Sequence, residues 1–476
     1  MVIKNNIKIK NFGPIKEANI DISPLTIFVG PNSSGKSYSA CLIHSLLNPF
    51  SGKFEDIEDS ISIDSLKYML NNNNEVFDEY NYKFIEYLNK DPDFSNNPFK
   101  LSVDEFDKLF YEGIGKFYLE TIESNLKNNF FNNINKLNNI INSPFSIEFN
   151  GISLINDNGK LLLDNFFLET IGESQNNPNP ENNGELVLSI SRDDKFVSII
   201  LNPIYLNLAK LDNIYIPGII YGILSQAFIS NLVENSYYIP ASSYTISNHL
   251  NSVLAHEING NVNSSRLDKE LMSLLLDNET SDEGFYKDIA VELSKEILGG
   301  VLEFNNVDEG IKFIDETNGV EFDFKSLSSS VKELTSFIKY LVDLSSKDDF
   351  LIIEEPENHL HPVNQRILVK YLVKLINNGL NIILTTHSDY ILEQFNNFIR
   401  LGKVNEDKLN EFGYSEDNVL NHEDVKIYNF KKESDYLYVP KEVDINETGF
   451  IDENFSEVTD ELYNESVDII DNMESD

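Results

Sequence analysis

Apolar residues along this chain fall into two kinds of pattern, and the changes between them mark its elements. Near the N-terminus they alternate with polar ones. Ile7-Lys8-Ile9-Lys10 and Ala18-Asn19-Ile20-Asp21-Ile22 have the two-residue period of half-buried strands, with Gly13-Pro14 as the turn between them. Three other runs, Pro24 to Val29, Phe350 to Ile353 and Asn381 to Leu384, are apolar without alternation. Short runs of β-branched and aromatic residues predict strands buried on both faces, as in a parallel sheet. Helical spacing takes over at Ala40, Ile43, His44 and Leu47, at Leu267, Leu271, Leu274 and Leu275, at Leu334, Ile338, Leu341 and Val342, and from Val363 to Ile376.

The long middle of the chain is less regular. Phe84, Tyr87 and Leu88, then Phe106, Leu109 and Phe110, then Phe117, Leu119 and Ile122 have helical spacing, broken by Asn-rich tracts such as 71–74. Two strand pairs are predicted: 145–149 with 160–163, and 186–191 with 196–200, the second turned at Asp193-Asp194. Residues 172–184, rich in Asn and Pro, predict a surface loop, and 205–232 a helix that leads to a strand at Tyr237 to Pro240. A helical stretch over 244–298 precedes strands near 301–304, 311–314 and 320–324, and two more short strands fall near 426–430 and 436–439.

Composition narrows the class. A chain of 476 residues that is 41% apolar, with 32 Phe and 22 Tyr, can bury a large core. No apolar run approaches the roughly eighteen residues of a membrane span, and Met1 to Asn6 lacks a signal-peptide core, so a cytoplasmic location is expected. The net charge of −41 disfavours unspecific attraction to DNA or anionic membrane, and the four arginines (Arg192, Arg266, Arg366 and Arg400) are the whole supply of guanidinium groups. The lone Cys41 is expected to be a packed core thiol.

The candidate chemistry begins at Gly30-Pro31-Asn32-Ser33-Ser34-Gly35-Lys36-Ser37, which fits the phosphate-binding pattern G-x-x-x-x-G-K-[ST] between a buried strand and a helix opened by Tyr38. Gly30 and Gly35 let the main chain approach phosphates closely, so that successive N–H groups converge on negative charge at a helix N-terminus. In this pattern Lys36 reaches the β- and γ-phosphates of a nucleotide and the Ser37 hydroxyl holds Mg²⁺. Far downstream, Leu351-Ile352-Ile353-Glu354-Glu355-Pro356-Glu357-Asn358-His359-Leu360-His361-Pro362 delivers two acids at the end of a buried strand. Glu354 is then expected at the Mg²⁺ water shell, and Glu355 as the base that orients and deprotonates water. Thr385-Thr386-His387-Ser388 ends the next strand, placing His387 to contact the γ-phosphate. His359 and His361 beside Glu355 and Glu357 form another cluster, but its spacing matches no zinc motif and zinc is not expected.

Together these segments, with the Ser-rich Leu327-Ser328-Ser329-Ser330, resemble the ABC-type ATPases of the OLD (overcoming lysogenization defect) and RecF/SMC-like group, over roughly residues 3–48 and 300–400. The resemblance implies an α/β fold: an ABC-type P-loop NTPase head, with a mixed central sheet and an N-terminal antiparallel β part, interrupted by long, mostly helical insertions. It implies ATP and Mg²⁺ as cofactors, and two heads closing face to face on ATP with Ser328 as the signature serine touching the partner's nucleotide. Two departures stand out. Ser330 replaces the usual glycine of the signature and is expected to hinder close approach to phosphate. The segment 238–243, Tyr-Ile-Pro-Ala-Ser-Ser, resembles a Pro-Ala-Ser-Arg segment of the family with Ser243 in place of the arginine.

The division expected on this resemblance is an N-terminal lobe with the phosphate loop (1–48), a helical and hairpin insertion (49–236), a strand and helical arm (237–299), a C-terminal lobe (300–400) and a small extension with an acidic tail (401–476). The 89 residues after His387 carry no Glu and Asp-x-Asp pattern of a Toprim nuclease, so no nuclease activity is expected. The expected role is an ATP-hydrolysing dimeric switch or sensor acting on a separate effector, of anti-phage type by analogy. The alternative is an ATP-gated DNA-binding protein of repair, for which Lys4, Lys8, Lys10 and Lys16 speak. A transporter subunit is a third, weaker reading, opposed by the long arms. Residues 441–476 hold thirteen acids and one lysine, a solvated end or a dock for a basic partner.

Overall fold

The strand β3 (Leu25–Val29), buried at all five residues, is the axis of the fold. The computed structural model describes residues 6–48, 99–102, 105, 116–130, 144–149, 152–157, 160–166, 188–192, 196–201, 235–247, 265–276, 284–304, 310–450 and 461–470. The Asn-rich tract 71–74, the helical spacing at 84–88 and 106–110, the loop at 172–184 and the helix expected over 205–232 lie outside the described residues. By contact the chain divides into one unit of residues 1–45, 128–145 and 235–476 and a second of 46–127 and 146–234.

In the first unit, β10 (Ser236–Ile239), β14 (Phe350–Glu354), β15 (Asn381–Thr385), β3 and β16 (Val425–Ser434) lie side by side in that order and run parallel. The sheet continues through β17 (Leu437–Glu442), β2 (Ile15–Asp21) and β1 (Asn6–Phe12). Here β16 turns back antiparallel into β17, and β1 pairs antiparallel with β2. The mixed sheet and its antiparallel N-terminal part are therefore as expected. The segment read from sequence as a small extension contributes more than that, because β16 pairs with β3 directly (Ile427 opposite Ile27).

The two-residue period of the sheet sorts its side chains. Leu25, Ile27, Val29, Leu351, Ile353, Ile382 and Leu384 join one apolar cluster. That cluster also takes the buried faces of α3 (Arg266–Leu276), α4 (Lys287–Leu298), α5 (Ser329–Asp343), α6 (Pro362–Asn377) and α7 (Asp389–Arg400). The intervening residues face the other way. There Phe28 meets Tyr428 and Phe430 edge to face, and α1 (Lys36–Leu47) runs on from the phosphate loop. α5 is buried almost all round, including Lys332, Glu333 and Lys339. Its amphipathic spacing therefore understates its enclosure. The strands β11 (Gly300–Phe304), β12 (Ile311–Asp315) and β13 (Glu321–Asp323) form a separate antiparallel sheet.

In the second unit β4 (Phe99–Ser102), β9 (Phe196–Leu201) and β8 (Leu188–Arg192) make a three-stranded antiparallel sheet, so the predicted pairing of 186–191 with 196–200 stands. The other predicted pair does not. β5 (Ser146–Phe149) pairs with β6 (Ile152–Asp157), and β6 in turn with β7 (Lys160–Phe166). A register shift between Ser153 and Leu154 breaks the alternation by which β6 would be read. The spacing of Phe117, Leu119 and Ile122 belongs to α2 (Lys116–Asn129).

Candidate functional site

The phosphate loop leaves β3 at Gly30, with φ of 135°, and enters α1 after Gly35, with φ of 108°. A Cβ at Gly30 would stand 3.0 Å from the Phe430 main chain, and one at Gly35 2.9 Å from Ile15, so both conformation and space demand glycine. Pro31, Asn32, Ser33 and Ser37 are exposed, whereas Ser34, Gly35 and Lys36 are buried. Ser34 Oγ is buried without a hydrogen-bond partner. The Tyr38 ring packs against Phe130 and Phe12, while its main chain belongs to the first turn of α1.

Lys36 is 5% exposed, and its ammonium donates to the carbonyl oxygens of Gly30 and Pro31, each at 2.9 Å. Burial lowers its pKa to about 8, against the opposing pull of Glu355, Glu354 and Glu357. These three carboxylates, three hundred residues downstream, thus share the electrostatic neighbourhood of the loop lysine. Parallel strand order brings them there, since β14 and β3 flank β15 and all three end at the same edge.

Glu354 is the last residue of β14, 8% exposed; its Oε2 accepts from the Ala241 N–H at 3.3 Å, while Oε1 is buried with no hydrogen-bond partner. Glu355 follows with φ of 46°, just before Pro356, a conformation that costs a non-glycine residue about 1 kcal/mol or more. It is held there by its N–H, which donates to the Thr385 carbonyl at 2.9 Å. The Glu355 carboxylate accepts from Asn358 Nδ2 at 3.2 Å and lies 3.8 Å from His387 Nε2. Burial and the Lys36 charge hold the His387 pKa below its ordinary value, with Glu355 acting against them. The balance favours the neutral imidazole.

Glu357 was not among the residues singled out for the reaction, and no spacing rule points to it. Its Oε1 accepts from the His387 N–H at 2.6 Å and from Thr386 Oγ1 at 2.9 Å, joining the loop of the acids to the histidine segment. Gln365 extends the join: its amide donates to the Leu360 carbonyl and its oxygen accepts from Ser388 Oγ. The two other histidines of the segment have separate roles, His359 packed at a tilt against Tyr244 with centroids 4.7 Å apart and His361 capping α6 by accepting the Val363 N–H.

Ser328 is not brought into this group. It stands exposed as the N-cap of α5, its side chain making no capping bond. Ser330, in the glycine position, turns its hydroxyl onto the His359 carbonyl at 2.9 Å.

The arrangement suits an anion at a helix N-terminus beside a cation site. N–H groups and Lys36 meet negative charge, and a buried, unpartnered carboxylate oxygen on Glu354 and the exposed Ser37 hydroxyl are donors of the type Mg²⁺ accepts. The family model for the AAA ATPase domain matches residues 1–392. The chain belongs to that family. Among solved structures it is similar to an SMC head bound to the C-terminal winged-helix domain of ScpA, at 13% identity and a TM-score of 0.37 over 92% of this chain and 98% of that one. It is also similar to the SMC head domain from Thermotoga maritima, at 9% identity and a TM-score of 0.33 over 93% and 99%. A third likeness is to an SMC head from Pyrococcus furiosus with an extended coiled coil, bound to the C-terminal domain of ScpA, at 11% identity and a TM-score of 0.34 over 97% and 99%. No curated protein matches. Among the described residues no helix is long and apolar enough to cross a membrane.

Proposed function

We propose that the chain binds Mg-ATP on Gly30 to Ser37 and hydrolyses it, two heads closing on the nucleotide to act as a switch for a separate effector protein. The reading is supported above all by the common neighbourhood of Lys36, Glu354, Glu355 and His387. In it the loop N–H groups and Lys36 bind the phosphates, Ser37 and Glu354 hold Mg²⁺, which supplies charge neutralisation when bound, and Glu355 takes the proton of the attacking water. His387, 3.8 Å from Glu355, donates toward the γ-phosphate. Ser328, exposed at the N-terminus of α5, serves the nucleotide of the opposite head.

The expected outcome for Glu355→Gln is retained ATP binding by calorimetry, turnover reduced by about a hundredfold or more, and a dimer that accumulates with ATP on size exclusion. Wild-type turnover in this variant removes Glu355 as the base. For the DNA-binding alternative the lysine support thins, because Lys16 is paired with Glu433 at 2.6 Å. The absence of DNA binding at low salt would dispose of it.

A further inference from the structure

The segment 240–247, which departs from the family pattern at Ser243, meets Glu354, α5 and His359 of the loop 355–361. Its Ala241 N–H donates to Glu354 Oε2. The buried Ser243 hydroxyl donates to Glu333 Oε1 on α5 at 3.0 Å, and one turn on Ser247 Oγ meets Ser336 Oγ at 3.3 Å. The Tyr244 ring lies on His359, whose carbonyl accepts from Ser330 at the start of α5. Glu333 borders a small cavity that Ile239, Phe337, Ile353, Glu354 and Pro356 also line, so it shares that space with Glu354 and with the proline that follows Glu355. Its second oxygen is buried without a hydrogen-bond partner. A buried acid that leaves one oxygen unpartnered is an unfavourable way to stabilise a helix contact, and a Leu there would pack at least as well.

We propose that Ser243 and Glu333 are positioning residues: their hydrogen bond clamps the segment 240–247 to α5 and so fixes, together, the orientation of Glu354, the loop 355–361 and the serine-bearing end of α5. Neither residue belongs to the phosphate loop, and both are buried. The inference rests on the ATPase reading for its consequence in turnover, while its structural part stands apart from that reading. Removing only one partner strands the other, so the informative variant is the double Ser243→Ala/Glu333→Leu, in which both polar groups go at once and stability is kept.

Steady-state ATPase kinetics, thermal melting and hydrogen exchange of nucleotide-free protein are compared for wild type, the double variant and Glu333→Gln, whose amide oxygen still accepts from Ser243. The double variant is expected to melt no lower than wild type and to keep KM within about twofold, yet to lose kcat by about tenfold or more through misplacement of the acids. Its peptide over 355–361 is expected to exchange faster, and Glu333→Gln to stay close to wild type in kcat, KM and exchange over 355–361. Unchanged exchange over 355–361 in the double variant overturns the proposal, as does a Glu333→Gln variant as impaired as the double one. A purely structural role predicts that melting temperature and turnover fall together. If wild type hydrolyses no ATP, the function reading fails by itself and the exchange comparison still decides the clamp.

Discussion

The Lys36 ammonium is held by two carbonyls in a buried place, which leaves it ionised only up to about pH 8. Phosphates favour its charged form, so above that pH binding must carry a proton with it. Calorimetry near pH 9 in two buffers of different ionisation enthalpy is expected to show uptake of about half a proton or more per ATP, none near pH 6.5, and no binding in Lys36→Met. Glu333 has the opposite sign. Burial pushes its carboxyl up to about 7, above its unfolded value of 4.5. The unfolded chain therefore releases this proton first, and stability falls as pH rises through the window between those values. Glu333→Gln, which cannot ionise, is expected to match wild type near pH 4 and to exceed it by on the order of 2–3 kcal/mol at pH 8, read from denaturant melts. The phosphate-loop pattern disclosed Lys36, and Glu354, Glu355 and His387 were legible because they stand at the ends of short apolar runs downstream of that pattern. Glu333 and Glu357 were hidden from it. One occupies a helical position that spacing assigns to a polar face, and the other meets Thr386 and His387 only through the turn that positive φ at Glu355 creates.

Among the elements, the loop 355–361 and the start of α7 behave as one piece, because a single carboxylate oxygen of Glu357 accepts both an N–H and a hydroxyl from across the strand ends. Glu357→Gln keeps an oxygen in that place, whereas Glu357→Leu leaves the His387 N–H without its acceptor. The Leu variant is expected to lose kcat by about tenfold to a hundredfold with KM nearly unchanged, and the Gln variant to lose little. Equal loss in both would mean that the charge of Glu357, and not its geometry, is required. Element by element, the period-two runs at 7–10 and 18–22 and the apolar runs at 24–29, 350–353 and 381–384 became strands β1, β2, β3, β14 and β15 as read. Periodicity carries no record of who pairs with whom. The strand β6 was missed where its alternation slips at Ser153, and nothing in Lys426 to Phe430 announced that this strand lies against β3.

At the scale of the molecule, the end of the packed structure lies later than the acidic composition indicates. Phe450 is 4% exposed, and Asn396 grips it from both sides, its amide donating to the Phe450 carbonyl and its oxygen accepting the Phe450 N–H. The helical turns at 461–470 are exposed along their whole length. A chain ended after Phe450 is expected to melt within about 2 °C of wild type and to keep its ATPase. One ended after Pro440 loses Val443 and Phe450 from the core and is expected to be destabilised by about 3 kcal/mol or more, measured in urea. Capture of a basic partner by the full chain but not by the one ended at 450 would assign the tail its docking role. The position of β16 has a further consequence, for synthesis on the ribosome. The strand that launches the phosphate loop is made long before its neighbours on both sides, which begin only after residue 380 and residue 424. The nascent chain must keep that apolar segment soluble until β15 and then β16 have left the exit tunnel, and only then is the strand that carries the phosphate loop flanked on both sides.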